Sequence, residues 1–153
     1  MYHVIKDTRE QEGGGGWIFS KTKNCTGHTI QTLKTGDYTI VGYENDFIIE
    51  RKGALTEWAH NINEKRFERE LERLEQFRWP FIILEFTLAQ LLKWPLDCGI
   101  PKNKIKDIQT SNYFILKKTN EFMLNYKTKI IFAGHQGKEV AASLMKRVVE
   151  NGK

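Results

Sequence analysis

The sequence predicts an α/β fold in which helices flank a mixed central sheet. β-rich segments separated by turn residues fill the first third of the chain, and two segments with apolar residues at helical spacing follow. Strand-like and helix-like segments then alternate to the end. This order is typical of a mixed sheet with helices packed on it. Because single domains commonly hold about 100–200 residues, we predict one domain over residues 1–153.

The first third of the chain predicts an antiparallel meander. Four β-rich segments are separated by a glycine loop at 13–16, which we expect to be flexible, and by a polar turn at 43–46. The β-rich segments are residues 2–6, 29–34, 38–42 and 47–52.

The remainder predicts helices alternating with buried strands. Helices are predicted at 55–62 and 64–77, and the stripe Phe67, Leu71, Leu74 and Phe77 forms the buried face of the second one. Pro80 is expected to stop that helix. The later predicted elements are a buried strand at 81–84, a short helix at 87–92, a loop at 95–106, a helix at 111–126, a strand at 129–133 and a helix at 137–150 with Val140, Leu144 and Val148 inward.

Composition excludes several classes of protein. Cys25 and Cys98 lie far apart without histidines at ligand spacing, so we predict two reduced thiols and neither a disulfide framework nor a zinc site. The N-terminus lacks the pattern of a signal peptide, and no apolar run approaches the ~20 residues that span a bilayer. We therefore expect an intracellular protein, cytoplasmic or nucleoid-associated.

Lysines are concentrated in one segment of a chain whose net charge is +5. Residues 102 to 129 hold seven lysines against two acidic residues. Such a segment suits a phosphate-binding surface, and a solvated lysine-rich face is the alternative. The candidates for DNA binding are Lys102, Lys104, Lys106, Lys117 and Lys118.

One group of charged residues can be placed by strand geometry. Glu50 and Lys52 are two residues apart in a predicted strand, so their side chains point to the same side. If residues 43–46 form a four-residue hairpin loop, 42 pairs with 47, 40 with 49 and 37 with 52. Asp37 would then lie opposite Lys52 and diagonal to Glu50, about 7–8 Å apart at the backbone.

Two carboxylates and an ammonium at one point match the needs of phosphodiester hydrolysis. Mg²⁺ is commonly held by one or two carboxylates plus a substrate phosphate, and an ammonium can orient the attacking water. We expect Asp37 and Glu50 to be metal ligands and Lys52 to position water. Asp7 would complete the site, with Glu10 a weaker candidate. Taken singly, Gly-Asp is also a common turn dipeptide, and Glu-Arg-Lys is also a common solvated strand end.

The flanking residues strengthen this interpretation. One acidic residue on a strand, followed by acid-x-Lys on the adjoining strand, is the pattern of the PD-(D/E)xK nucleases. Several segments of the chain, taken in the same order along the sequence, resemble the XPF-type (ERCC4-domain) members of that class. The resemblance implies a restriction-endonuclease-like fold, a divalent metal (Mg²⁺, with Mn²⁺ able to substitute) and cutting of branched or flapped DNA. It gives catalytic roles to Asp37, Glu50, Arg51 and Lys52, and the upstream acidic role to Asp7. The segments are Val4–Glu10, Thr35–Tyr38, Ile49–Lys52, Arg66–Phe67, Leu71–Leu74 and Ile83–Glu85.

Arg51 fits the strand geometry least well. In a regular strand it faces away from Glu50 and Lys52, so we expect it to brace the site or to touch the phosphate backbone.

The chain also departs from the family pattern. Thr56 stands where the family has an Asp four residues after the Lys, with Glu57 next to it, and no helix-hairpin-helix module follows in these residues. DNA binding would then depend on the lysine-rich segment, on another protein or on dimerisation. The resemblance favours a homodimer. A catalytically inactive DNA-binding module of the same fold and an RNA-directed nuclease are the alternatives.

The aromatic and imidazole side chains have ordinary interpretations. We expect the four tryptophans, including Trp58 and Trp94, to pack in the core rather than to stack on unpaired bases. His60 and His135 are predicted to lie at the surface.

Overall fold

One mixed sheet of six strands organises the structure. The computed structural model describes residues 1–11 and 16–152, so Gly13, Gly14 and Gly15 of the predicted loop lie outside the described residues. The sheet order is β2-β1-β3-β4-β5-β6. The strands are β1 (Tyr2–Lys6), β2 (Cys25–Ile30), β3 (Tyr38–Ile40), β4 (Phe47–Lys52), β5 (Trp79–Leu84) and β6 (Lys129–Phe132). This architecture confirms the predicted α/β class.

The predicted meander is correct for three strands and wrong for the fourth. β1 and β3 pair antiparallel, as do β3 and β4. In contrast, β2 pairs parallel with β1 at the sheet edge, and it covers Cys25–Ile30 rather than residues 29–34. The long connection from 7 to 24 is the physical reason, because it returns the chain to the starting end of β1, where Tyr2 N donates to Asn24 O.

The predicted register between β3 and β4 is also wrong. Tyr38 pairs with Ile49, which shifts the pairing by two residues from the predicted one. The loop holds two tight turns, with Tyr43 N donating to Ile40 O and Asp46 N donating to Tyr43 O. These turns take up Val41 and Gly42, which had been assigned to the strand, so the connection is longer than the predicted 43–46.

The described part of the chain holds six α-helices: α1 (Leu55–Asn61), α2 (Lys65–Leu74), α3 (Leu88–Leu92), α4 (Lys102–Ile105), α5 (Asn112–Asn125) and α6 (Gly137–Asn151). Short 3₁₀ turns lie at Thr8–Gln11 and Gly134–Gln136. α4 adds one turn of helix inside the segment predicted as a loop. Pro80 lies within β5 rather than directly after a helix, since α2 ends at Leu74.

The predicted inward face of the last helix is rotated. Gly137, Ala141, Met145 and Val148 are its buried residues, whereas Val140 and Leu144 lie at the margin of the contact. Small residues at 137 and 141 let this helix approach the sheet closely, a feature that a search for large apolar residues overlooks.

The core lies on both faces of the sheet. Trp58, Leu71 and Ile82 belong to the cluster under α1, α2 and α5, while Ile83 and Met145 belong to the cluster under α6. Consecutive residues of β5 thus enter opposite clusters, which confirms that this strand is buried on both sides. Both cysteines are free thiols. None of the helices in the described ranges has the length and apolar character that a bilayer crossing requires.

Candidate active site

The start of β3 and the end of β4 bring the predicted acidic residues together. Asp37 N donates to Ile49 O at 2.8 Å, and the Asp37 carboxylate accepts a hydrogen bond from Arg51 N at 2.7 Å. The observed register therefore places Asp37 beside Glu50 rather than opposite Lys52. The carboxylate is fixed to the backbone of the strand that carries the other site residues.

Gly36 makes this close approach possible. Its φ is +82°, and a Cβ at this position would overlap Cγ1 of the buried Ile48. Side chains other than glycine rarely adopt this backbone conformation and would collide here. Packing and backbone conformation therefore both favour glycine at position 36.

Asp37 and Glu50 line one small cavity of about 100 Å³. Burial, reinforced by repulsion from Glu50 and Glu10, raises the pKa of Asp37 far above its ordinary value. Burial likewise raises the pKa of Glu50, although the nearby Lys52 opposes the shift. The two carboxylates are half-buried and repel each other, so an added cation would stabilise their ionised forms.

Lys52 lies on the same side of β4 as Glu50 and is buried. Its Nζ is 3.5 Å from Glu50 Oε1, 3.7 Å from Glu57 Oε1 and 3.8 Å from Glu70 Oε2. Burial alone would lower the pKa of this ammonium, but the three carboxylates outweigh burial and raise it. The structure therefore brings Asp37, Glu50 and Lys52 to one place and keeps the lysine protonated.

Arg51 points to the other face of the sheet, as strand alternation predicts. Its guanidinium pairs with Glu85, lies 3.6 Å from Glu10 Oε2 and stacks over the Trp17 ring at 5.3 Å. Glu10 also accepts a hydrogen bond from the Tyr38 hydroxyl at 2.7 Å. Arg51 thus braces the strand beneath the site, and Glu10 and Glu85 are its partners.

Asp7 is fully buried next to the cavity. Its Oδ2 accepts from the Arg9 side chain at 2.8 Å and from Arg9 N at 3.2 Å, while Oδ1 accepts from Leu33 N at 2.7 Å. Burial would raise the pKa of Asp7, but these hydrogen bonds outweigh it and lower the pKa. Both oxygens are engaged, and the role of Asp7 as a metal ligand stays a prediction.

Several cavity residues were missed by sequence reasoning. Arg9, Lys34, Glu70 and Arg73 line the same space as Asp37 and Glu50. A helical projection offers a signal for Glu70, because it adjoins the buried Phe67 and Leu71 on α2. No comparable signal marks Lys34 and Arg73, which lie on separate elements that only the tertiary fold brings together.

The donor set fits Mg²⁺, although it is small. No group of three or more His, Cys, Asp or Glu side chains within residues 1–11 and 16–152 is placed to hold a metal ion. Mg²⁺ does not need one, since it retains several waters and is often bound through one or two carboxylates. Asp37 and Glu50 supply hard oxygen donors of this kind.

The predicted DNA-binding lysines fall into two groups. Lys102, Lys104 and Lys106 are exposed on or next to α4. Lys117 and Lys118 lie on α5, and each is 3.8 Å from a carboxylate oxygen of Glu121. The positive charges of Lys102, Lys104 and Lys106 are therefore less neutralised by carboxylates than those of Lys117 and Lys118.

Comparison with known proteins settles the family. A model of the ERCC4 domain matches residues 6–146, which is most of the chain and includes every predicted site residue. This chain belongs to the ERCC4 domain family. No match was found among curated proteins.

Solved structures share the fold of this ERCC4 domain. XPF from Aeropyrum pernix aligns with a TM-score of 0.64 at 16% identity, covering 97% of this chain and 65% of that one. XPF from Aeropyrum pernix in complex with DNA gives a TM-score of 0.66 at 16% identity, covering 100% and 67%. The chain thus spans about two thirds of the length of the structures that it matches.

Proposed function

We propose that this ERCC4 domain is a metal-dependent DNA endonuclease that hydrolyses phosphodiester bonds in branched, flapped or junction DNA. The observation that carries the proposal is that Asp37 and Glu50 line one cavity and that Lys52 Nζ lies 3.5 Å from Glu50 Oε1. Family membership and a solved relative in complex with DNA support the choice of nucleic acid as substrate.

Asp37 and Glu50 would hold the metal, Mg²⁺ or Mn²⁺, through their carboxylate oxygens. A bound divalent cation polarises the phosphoryl oxygen and lowers the pKa of a bound water. The Asp37 carboxylate is aimed by its hydrogen bond from Arg51 N. Asp7 is the predicted third ligand, and to serve as one it would have to release the Arg9 side chain from Oδ2.

Lys52 would act on the attacking water and on the charge that develops at phosphorus. Its Nζ is held as an ammonium by Glu50, Glu57 and Glu70, so it donates hydrogen bonds and does not act as a base. Glu57 and Glu70 thus supply charge near the position where the family has an Asp and this chain has Thr56. Arg51 would brace β4 from the opposite face through Glu85 and Glu10.

Lys102, Lys104, Lys106, Lys117 and Lys118 would bind the phosphate backbone. The first three are exposed on or next to α4, and neutralisation of phosphates by such side chains gives sequence-independent affinity.

We also propose a homodimer that uses the exposed apolar side chains of α5. Leu124 is 85% exposed and Tyr113 is 73% exposed, and neighbouring copies would cover them. A monomeric sedimentation coefficient at every protein concentration would contradict this.

Cleavage of labelled duplex, flap, fork and Holliday-junction DNA with Mg²⁺ or Mn²⁺ tests the proposed activity. We expect Asp37→Asn and Lys52→Ala each to lower the cleavage rate by about 100-fold or more while DNA affinity is retained. Lys23→Ala is a matched control, because this exposed lysine lies between β1 and β2 near Asn24, at the other end of the sheet.

The alternatives are decided by the unmutated protein. Binding of DNA without cleavage by either metal would favour an inactive DNA-binding module. Faster cleavage of RNA than of DNA of the same structure would favour an RNA-directed nuclease.

A further inference from the structure

A groove outside the acidic cavity runs along α1 and the segment around α4. Its first depression has a volume of about 490 Å³ and is lined by Ala59, Trp94, Ile100 and Ile108. A second depression of about 320 Å³ extends to Phe114 at the start of α5. Asn63, Gln109 and Thr110 line both depressions, so the two are continuous.

The lining of this groove combines flat apolar surfaces with amide groups. The buried Trp94 indole is fixed by a hydrogen bond from Nε1 to Thr110 O at 2.9 Å. The side chains of Asn63 and Gln109 are exposed at the groove. Apolar walls with a few placed polar groups, at a volume within about 300–1,000 Å³, are typical of ligand sites.

The charge around the groove favours a polyanion. Lys104 lines the first depression, and Lys102 and Lys106 are exposed on either side of it, against the single acid Asp107. Across the described residues, none of these three lysines forms an ion pair within the 4 Å limit of a salt bridge. A ligand with apolar planar groups and a charged backbone would meet both kinds of surface.

The groove is also next to the proposed cutting centre. Thr56 lines its first depression, and the adjacent Glu57 reaches to 3.7 Å from Lys52 Nζ. α1 therefore contacts the proposed cutting centre through Glu57 and lines the groove through Thr56.

We propose that this groove binds the unpaired nucleotides of a single DNA strand, with bases entering the two depressions and phosphates facing Lys102, Lys104 and Lys106. The inference rests on the proposed function and adds to it the place where an unpaired strand of the substrate binds. The bases of paired DNA are stacked inside the duplex, whereas unpaired bases can pack against the apolar lining and the partly exposed Phe114. Asn63 and Gln109 would hydrogen-bond the base edges.

Binding measured without cleavage tests the groove separately from the chemistry. We would use fluorescence anisotropy of a labelled oligothymidine strand and of a labelled hairpin duplex, in metal-free buffer with the Asp37→Asn protein. Adding Asn63→Ala and Gln109→Ala together should raise the Kd for the single strand by about threefold to tenfold for each hydrogen bond lost. The Kd for the duplex should not change.

Gln31→Ala with Asn45→Ala is the matched control, because both are exposed amide side chains elsewhere on the surface. This pair should leave both Kd values unchanged. Equal weakening of single-strand and duplex binding by Asn63→Ala with Gln109→Ala, or no weakening, would overturn the proposal.

Photocrosslinking gives a second readout that does not depend on any variant. An oligonucleotide containing 5-iodouracil should crosslink to the peptides that hold Trp94 or His60, which line the first depression. Crosslinks confined to other peptides would overturn the assignment. If the groove binds the strand but the protein cuts no DNA, the proposed function fails alone; if the protein cuts DNA and the groove does not bind, this inference fails alone.

Discussion

Asp37 and Glu50 are carboxyl groups whose pKa values lie above the ordinary values of their side chains. Burial is the largest cause of the raised pKa of each, and repulsion between acidic side chains adds to it. In the protein without metal, ionisation of these two carboxyl groups destabilises the folded state. If the site binds a cation as proposed, it trades stability for affinity toward that cation.

The contribution of Asp37 to the free energy of unfolding should therefore fall as pH rises in metal-free buffer. Well below the ordinary pKa of about 3.9, the Asp37 carboxyl is protonated in both the folded and the unfolded chain and costs nothing. As pH rises further, the unfolded chain ionises at the ordinary pKa of about 3.9, whereas the folded chain stays protonated until its raised pKa is reached. The folded state thus loses stability across this interval.

Asp37→Asn should remove much of that loss. The amide keeps an oxygen acceptor for Arg51 N but carries no charge, so we expect it to raise the free energy of unfolding at pH 8 by about 1–2 kcal/mol. Thermal unfolding followed by circular dichroism, at pH 5 and pH 8, measures this. Millimolar Mg²⁺ should stabilise the unmutated protein at pH 8 and have little effect on Asp37→Asn. A variant less stable than the parent at pH 8 would contradict the expectation.

At the scale of elements, the junction between Gly36 and β4 links core packing to the position of the site. Gly36 has a positive φ, and the space where a Cβ would stand is filled by Ile48. Asp37 follows immediately and bonds to β4 through Ile49 O and Arg51 N. A change at Gly36 would therefore disturb both the fold and the carboxylate.

We expect Gly36→Ala to lower the free energy of unfolding by about 2–5 kcal/mol, because backbone strain and overlap with Ile48 add together. Gly42→Ala is the control: its φ is +92°, but nothing lies within 4 Å of its added Cβ. It should lose only the strain, about 1–2 kcal/mol. Urea denaturation measures both, and equal losses would refute the role of Ile48.

Most element types were predictable from the sequence, but pairing was predictable only in part. Phe67, Leu71 and Leu74 are buried as their spacing indicates, whereas Phe77 of the same predicted stripe lies beyond α2 and is partly buried. β5 is buried on both faces, as predicted. The register of β3 against β4 was not predictable, because it depends on turns that remove Val41 and Gly42 from the strand. Parallel pairing of β2 depends on a long connection between β1 and β2, and no local sequence pattern indicates the path of that connection.

The site was predictable to the extent that it lies on one hairpin. Strand alternation places Glu50 with Lys52 and turns Arg51 to the opposite face, where it pairs with Glu85. Lys34 and Arg73 lie outside this hairpin on two different elements, and sequence spacing carries no information about their contacts, whereas Glu70 lies between the buried Phe67 and Leu71 of α2.

For the whole molecule, charge placement predicts how DNA binding responds to salt. Lys102, Lys104 and Lys106 are exposed, whereas Lys117 and Lys118 share Glu121. Each phosphate contact that is lost should reduce the slope of log Kd against log salt by about one. Lys104→Ala should therefore change the slope more than Lys117→Ala, and Lys23→Ala should not change it. Anisotropy titrations over a range of salt concentrations measure this, and equal slopes for all variants would contradict it.

Side chains of opposite charge lie at different depths in the cavity between β3, β4 and α2. Exposed Arg9, Lys34 and Arg73 stand at its mouth, and the half-buried Asp37 and Glu50 lie further in. Under the proposed function, a hydrated cation would bind the inner carboxylates, and the phosphate backbone of DNA would meet the outer cations as it approaches that metal. One opening would therefore attract two ligands of opposite charge, because each is matched by side chains at a different depth.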